Sequence, residues 1–427
     1  MERLFHLNKL GTNVKTEIIA GFTTFLTMAY IIVVNPAILS AAGVPFNQVF
    51  IATIIAAVIG TLIMALFANY PIAIAPGMGV NAYFASVVAT HGVTYQVVFG
   101  TVFLAGLLFL LLTFTNLREL IIESIPAPLK YGITAGIGLF IAFQGLKMSG
   151  IVVQNPETYV AFGDLRNPVT TLSIIGLFIT LILTTRKING ALFIGMFLTA
   201  IIGYFMGMLQ IEGIIAAPPK PVFFDLDITG VFSNGLYGVV FAFLLVTLFD
   251  TTGTIIGVTE QAGLMKNGKL PRAKAALTAD ALATTVGATI GTTPSTAYIE
   301  SSSGVAAGGR SGLTTLTVAI LFLVAMFFSP LVAAISSLSA ITAPALIIVG
   351  SYMMGGLAKI NWSAFDEALP AFLVILTMPL TASISTGIAV GFITYPILKL
   401  VGGKAKEVHP ILYVFAVLFI VQLVFFT

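Results

Sequence analysis

Apolar runs about 20 residues long follow one another through nearly the whole chain, each long enough to cross a bilayer as a helix. They fall near 16–39, 48–69, 95–115, 127–148, 169–185 and 189–208, then near 235–262, 273–291, 312–328, 341–358, 364–380 and 384–402. Backbone polar groups in hydrocarbon must be paired within the protein, so these runs predict an all-α polytopic membrane protein. The charge content agrees. Only 8% of the 427 residues are charged and the mean hydropathy is +1.08, whereas a soluble domain carries roughly a quarter charged residues. A net charge of +3 is too small to suggest nucleic acid. The absence of cysteine excludes disulfides, thiolate metal sites and cysteine nucleophiles. Residues 1–15 are polar and the first apolar run is too long for a signal-peptide core, so no cleavable leader is expected.

Two further segments, 75–90 and 293–309, are short and broken by Pro and Gly. Counting them gives about 14 spans, with the run His409–Phe426 as either one more span or a terminal helix lying on the bundle. Basic residues orient the bundle. With the N-terminus in the cytoplasm, only Lys147, Arg166 and Lys220 of the 19 Lys and Arg fall outside; Arg118, Arg186, Lys187, Lys266 and Lys269 are among those inside. This predicts a multi-pass protein of the cell membrane.

The chain also resembles itself. IPAPLKYGITAGIG (125–138) aligns with ITAPALIIVGSYMM (341–354), and INGALFIGMFLT (188–199) with ISTGIAVGFITY (384–395). The broken segments APGMGVNAYFA (75–85) and TPSTAYIESSSG (293–304) occupy matching places. Seven spans per half would make the second copy enter the membrane from the opposite side, the inverted repeat of a secondary transporter. The expected division is 1–210, an outside linker 211–233 rich in proline, and 234–427.

Within this frame two acids stand out. Asp250 follows GLYGVVFAFLLVTLF, fifteen residues without formal charge, and Glu300 follows the strand-like PSTAYI. An acid in hydrocarbon is costly and is a functional candidate by default. The two Pro-Gly breaks supply the setting, because a helix that begins after a break offers free N–H groups and a partial positive charge. Two such half-helices would present donors to a polar solute. Asn81, Ser301, Ser302 and Ser303 add side-chain donors and acceptors. Tyr83, Phe84 and Tyr298 are candidates for stacking on a ring. Thr251, Thr252 and Thr254 either line the site or bond their own helix, as do Thr23, Thr24 and Thr27 on the first span near Tyr30. Scattered glycines such as Gly132, Gly136 and Gly138 read as close helix packing.

No catalytic signature is present: HExxH, GxSxG, the phosphate-binding GxxxxGK[ST] and Asp-rich diphosphate patterns are all missing, so neither an enzyme nor a primary pump is expected. A channel or an anion exchanger of the same general fold are the competing readings. The site offers two acids and no intramembrane Arg or Lys, which suits a neutral or proton-sharing solute.

APGMGVNAYFA, LFDTTGTIIGV and YIESSSGVAAGGRSGLT, with the opening EIIAGFTTFLTMAYIIVVNP (17–36), resemble the nucleobase:cation symporter-2 group, and most of all its azaguanine-like branch of purine permeases. The resemblance implies two inverted seven-span repeats. A core domain would take about 16–115 and 235–328, and a gate domain about 125–208 and 341–402, with the third and tenth spans each a short strand plus a helix. It further implies uptake of a purine nucleobase (hypoxanthine, guanine or adenine) with a proton, no cofactor or metal, and a homodimer through the gate domain. Asp250, Glu300 and Asn81 match the family's binding residues, with Asp250 and Glu300 as the carriers of proton coupling. Thr251, Ser301, Tyr83 and Tyr298 complete the expected substrate-binding set.

Overall fold

The computed structural model of the chain describes residues 2–115, 124–265 and 270–425, with only the backbone of Arg3, Phe249 and Phe425. Arg118, Lys266, Lys269 and Phe426 lie outside these residues. Helices stand in each long apolar segment. Among the described residues, nine are long and apolar enough to cross a membrane. The chain is a multi-pass membrane protein.

The first apolar run is interrupted. Helix α1 (Val14–Met28) stops at Ala29–Tyr30, and α2 (Ile31–Ala41) continues with Pro36 inside it. The second run forms α3 (Phe46–Ile63), then a π-turn, Met64–Ala68, ending at Asn69 in the left-handed region (φ 50°). Strand β1 (Ile74–Pro76) follows, then α4 (Met78–His91) and α5 (Tyr95–Thr113). Next come α6 (Ala127–Met148), a hairpin of β2 (Val152–Asn155) and β3 (Tyr159–Phe162), α7 (Pro168–Thr185) and α8 (Ala191–Phe205). The hairpin stands in a loop that the apolar pattern leaves without structure.

The later part of the chain begins with α9 (Tyr237–Gln261) and α10 (Ala273–Ile290). Strand β4 (Ser295–Ala297) and the short α11 (Ser301–Ala306) come next, then α12 (Gly312–Ala325) and α13 (Ser329–Ser337). The chain closes with α14 (Ser339–Tyr352), α15 (Phe365–Thr381), α16 (Ile384–Val401) and α17 (Pro410–Phe425). At 16 residues, α17 is roughly 24 Å long, short of a hydrocarbon core of about 30 Å. Its Phe415 and Phe419 rings pack on Phe241 of α9 and Phe392 of α16, at centroid distances of 5.1–5.8 Å.

The two breaks meet. β1 and β4 pair antiparallel, with Ile74 opposite Ala297, Ala75 opposite Thr296 and Pro76 opposite Ser295. The pair is extended by Gly77 N–H donating to the Pro294 carbonyl (3.0 Å) and Tyr298 N–H to that of Ala73 (2.9 Å). Non-helical backbone survives at this depth because it is buried in protein and its polar groups are paired. A threonine grips each strand in the same way. The Thr61 hydroxyl donates to the Ile74 carbonyl (2.9 Å) and accepts from its N–H (3.0 Å). Thr284 does this for Ser295, at 3.2 and 3.0 Å.

Close helix contacts surround the pair. A Cβ on Gly138 would lie 2.6 Å from the Gly350 carbonyl, so α6 and α14 touch backbone to backbone. A Cβ on Gly304 would meet the Thr24 hydroxyl at 2.0 Å, which sets α11 directly against α1. The fully buried Glu17 fastens α1 to the start of α12. Its carboxylate accepts from the N–H groups of Arg310 (2.9 Å), Ser311 (3.2 Å) and Thr314 (3.2 Å) and from the Thr314 hydroxyl (2.6 Å). A carboxylate at a helix N-terminus is favoured by the free N–H groups and the dipole there.

Candidate functional site

Asp250 lies on α9 and Glu300 at the N-cap of α11, and both face one cavity of about 90 Å³ beside the strand pair. Tyr30, Thr254, Thr296, Tyr298, Gly79, Val349 and Met353 also line it. The interruption between α1 and α2 matters here, since it sets Tyr30 against β4–α11. The Tyr30 hydroxyl donates to the Glu300 carboxyl at 2.5 Å. Thr27, one turn earlier, donates to the Glu300 backbone carbonyl at 3.3 Å. Glu300 therefore begins the half-helix, as its position suggests, yet makes no capping bond; its carboxyl is turned to Tyr30 and the cavity. Thr296 lines the cavity together with the Asp250 carboxyl.

The remaining sequence candidates divide by which side of this cavity they occupy. Tyr298 lines it, and its hydroxyl is anchored on the Pro76 carbonyl at 2.6 Å. That bond fixes the ring across the strand pair. Asn81 is fully buried behind the break, where its Oδ1 accepts from the Thr293 hydroxyl. Its amide nitrogen has no hydrogen-bond partner among the described residues. Thr251 also faces away. Its hydroxyl donates to Asp280 at 2.7 Å and accepts from Ala297 N–H at 3.3 Å, tying α9 to α10 and β4. The Ser301 hydroxyl accepts from Ala73 N–H at 3.0 Å, pinning α11 to the residue before β1. Tyr83 is buried with its ring 4.9 Å from that of Phe243, and its hydroxyl has no hydrogen-bond partner among the described residues.

Thr254 lines the cavity, one of the two readings its sequence left open, whereas the polar lining residues Tyr30 and Thr296 were not put forward as site residues. A tyrosine within the first apolar span, close to three threonines, was the only trace of Tyr30, and threonines in spans usually bond their own helix, as Thr23 does to Ile19 (2.9 Å).

A small polar cavity held between paired broken segments, with helices packed around it, defines an integral membrane permease. The chain belongs to the nucleobase:cation symporter-2 family: the profile described as "Permease family" matches residues 15–390. The chain is 58% identical to the guanine/hypoxanthine permease PbuO of Bacillus subtilis, covering 98% of this chain and 99% of that one. It is 46% identical to the adenine permease AdeP of Escherichia coli, over 100% of this chain and 96% of the relative. Among solved structures, the transmembrane domain of the cyanobacterial bicarbonate transporter BicA superposes with a TM-score of 0.68 at 19% identity, over 88% of this chain and 97% of that one. That likeness is one of fold.

Proposed function

We propose that the protein imports purine nucleobases, hypoxanthine and guanine first and adenine next, by proton symport. The observation carrying this is that Asp250 and Glu300, from separate elements, line one cavity at the paired breaks. Two carboxyls can accept the ring and exocyclic N–H groups of a planar base, and a carboxyl that changes protonation can carry a proton with it. Support for the substrate class comes from the relatives, which are named as guanine/hypoxanthine and adenine permeases. No Lys or Arg lines this cavity, which disfavours an anion as substrate.

In this reading the base lies against Tyr298 between Asp250 and Glu300. Asn81, Thr251, Ser301 and Tyr83 hold those groups from behind. At least one acid loads a proton outside and releases it inside. The N-terminus is cytoplasmic, the spans number about 14 in two inverted halves, and the core moves against a dimeric gate.

The test is uptake of labelled hypoxanthine by cells expressing the protein, with unlabelled adenine, guanine, uracil and sulfate as competitors, with and without a protonophore. Saturable uptake blocked by purines and collapsed by the protonophore is expected, rising as the external pH falls. Glu300→Gln takes uptake to background and Asp250→Asn lowers it about tenfold or more, the scale of one lost charged hydrogen bond. Competition by sulfate, or near-normal uptake by Glu300→Gln, overturns the assignment.

A further inference from the structure

Among the cavities of the described residues, two large ones are apolar and a third is not. One, of about 400 Å³, lies where α17 meets Tyr237 and Phe241 of α9; the other, of about 390 Å³, is lined by Phe25, Phe193, Phe197 and aliphatic neighbours. The third, of about 330 Å³, has a different character. It lies on the other side of Glu300 from the site above, and Glu300 and Ile299 form the wall common to both. Thr27, Thr184, Lys187, Asn189, Ser303 and Tyr352 line it.

This cavity is built on a fixed turn. Lys187 takes a left-handed conformation (φ 55°) and Gly190 another (φ 78°). Lys187 N–H donates to the Thr184 carbonyl at 2.9 Å and Ile188 N–H to that of Leu183 at 3.0 Å, which closes α7. A Cβ on Gly190 would lie 3.1 Å from the Leu26 carbonyl, so the turn is seated on α1 next to Thr27. Lys187 makes no ion pair among the described residues. The Thr184 hydroxyl is buried without a partner among them. Tyr352 adds an aromatic ring, 57% exposed, at the end of α14.

A passage for a solute needs width; it has no need of a lone ammonium, an amide, an unpaired hydroxyl and an exposed ring around one space. We infer that this cavity is a second subsite for the base, occupied after it leaves Asp250 and before it reaches the cytoplasm. The inference rests on the purine reading and on the orientation proposed above. Lys187 offers three donors and no acceptor. The exocyclic oxygen and N7 of an oxopurine are both acceptors on one edge, whereas adenine presents an amino donor beside N7. The subsite therefore favours hypoxanthine and guanine over adenine.

Hypoxanthine and adenine transport is measured in whole cells and in inside-out membrane vesicles. Lys187→Ala is expected to raise the hypoxanthine KM about fivefold in inside-out vesicles, the scale of one hydrogen bond. Its KM from outside changes less than about twofold, the adenine KM moves less than that of hypoxanthine, and Lys187→Arg, which keeps donors for the same edge, avoids the fivefold rise. An unchanged KM at the inner face, or equal changes at both faces, overturns the subsite. A turn with a structural role alone would lower the maximal rate from either side. The chain has no cysteine, so Asn189→Cys gives a single labelling position. Hypoxanthine should slow its reaction with an impermeant maleimide in inside-out vesicles, and no protection again overturns the subsite. Wild-type protein that carries no purine in either orientation overturns the proposed function and the subsite together.

Discussion

The segments β1–α4 and β4–α11 are made the same way and used differently. Each has a Pro-Gly or Thr-Pro break, a three-residue strand, a threonine grip from the preceding helix and a helix that starts beside the cavity. In β4–α11 the residue at the helix start is Glu300, whose carboxyl faces Tyr30 and the cavity. In β1–α4 the corresponding stretch is Gly77-Met78-Gly79, and its nearest polar side chain, Asn81, is turned inward onto Thr293. One backbone device thus carries a charge in one segment and a scaffold in the other. The difference lies in which side chain follows the break, since the ladder bonds are shared by both strands. A lone carboxyl in hydrocarbon is costly, and placing it where backbone, hydroxyl and strand are already fixed limits what must reorganise when it changes partner.

The largest expected effect in this comparison belongs to Tyr30. Tyr30→Phe removes the donor at 2.5 Å from the Glu300 carboxyl and leaves the ring in place. Losing a hydrogen bond to a charged group costs about 1.5 kcal/mol or more, so hypoxanthine uptake should fall about tenfold or more with surface expression unchanged. Uptake within twofold of wild type would mean that Glu300 is held by other groups and that the α1–α2 interruption has no part in the site.

The two threonine grips give the next test. Thr61→Val and Thr284→Val each delete a hydroxyl that makes two bonds to a buried strand. Each leaves a buried N–H and C=O without that partner, at about 1–3 kcal/mol, so both should lower the thermal midpoint in detergent. Only Thr284→Val should also change the KM for hypoxanthine, by a few-fold, because its strand leads into Tyr298 and Glu300. Equal KM changes in both variants would show that the first break touches substrate as closely as the second.

How much of this was legible in the residues follows from the physics of each signal. Asp250 and Glu300 were visible because a formal charge within an apolar run is expensive and therefore rare. The two breaks were visible because Pro and Gly interrupt helices locally. Pairing of β1 with β4 was not, since three-residue strands carry no usable period and their partners are more than 200 residues apart. The same distance hid the Tyr30–Glu300 bond, separated by 270 positions. Glu17 was missed for a related reason: near the N-terminus it reads as interfacial, and only the fold brings the N–H groups of residues 310–314 onto its carboxylate. Residue type alone likewise could not tell Tyr298, which lines the cavity, from Asn81, Thr251 and Ser301, which brace it.

The smallest expected effect on transport is that of Asn81→Ala, and it bears most directly on the comparison. Asn81 is the polar side chain nearest the first break, its Oδ1 engaged by Thr293 and its Nδ2 without a partner among the described residues. If it acts only as a brace, the substitution strands the Thr293 hydroxyl in a buried site and costs about 1–2 kcal/mol of stability. The thermal midpoint should then fall while the hypoxanthine KM stays within about twofold. If instead the unpaired amide turns to the base during transport, the KM should rise about tenfold, and Asn81→Asp, which keeps the acceptor for Thr293 and loses the donor, should show the same rise. A KM rise shared by both variants would place a ligand contact on each break and make the two segments equivalent in function as well as in backbone. A midpoint shift in Asn81→Ala, with KM unchanged in both variants, keeps them distinct.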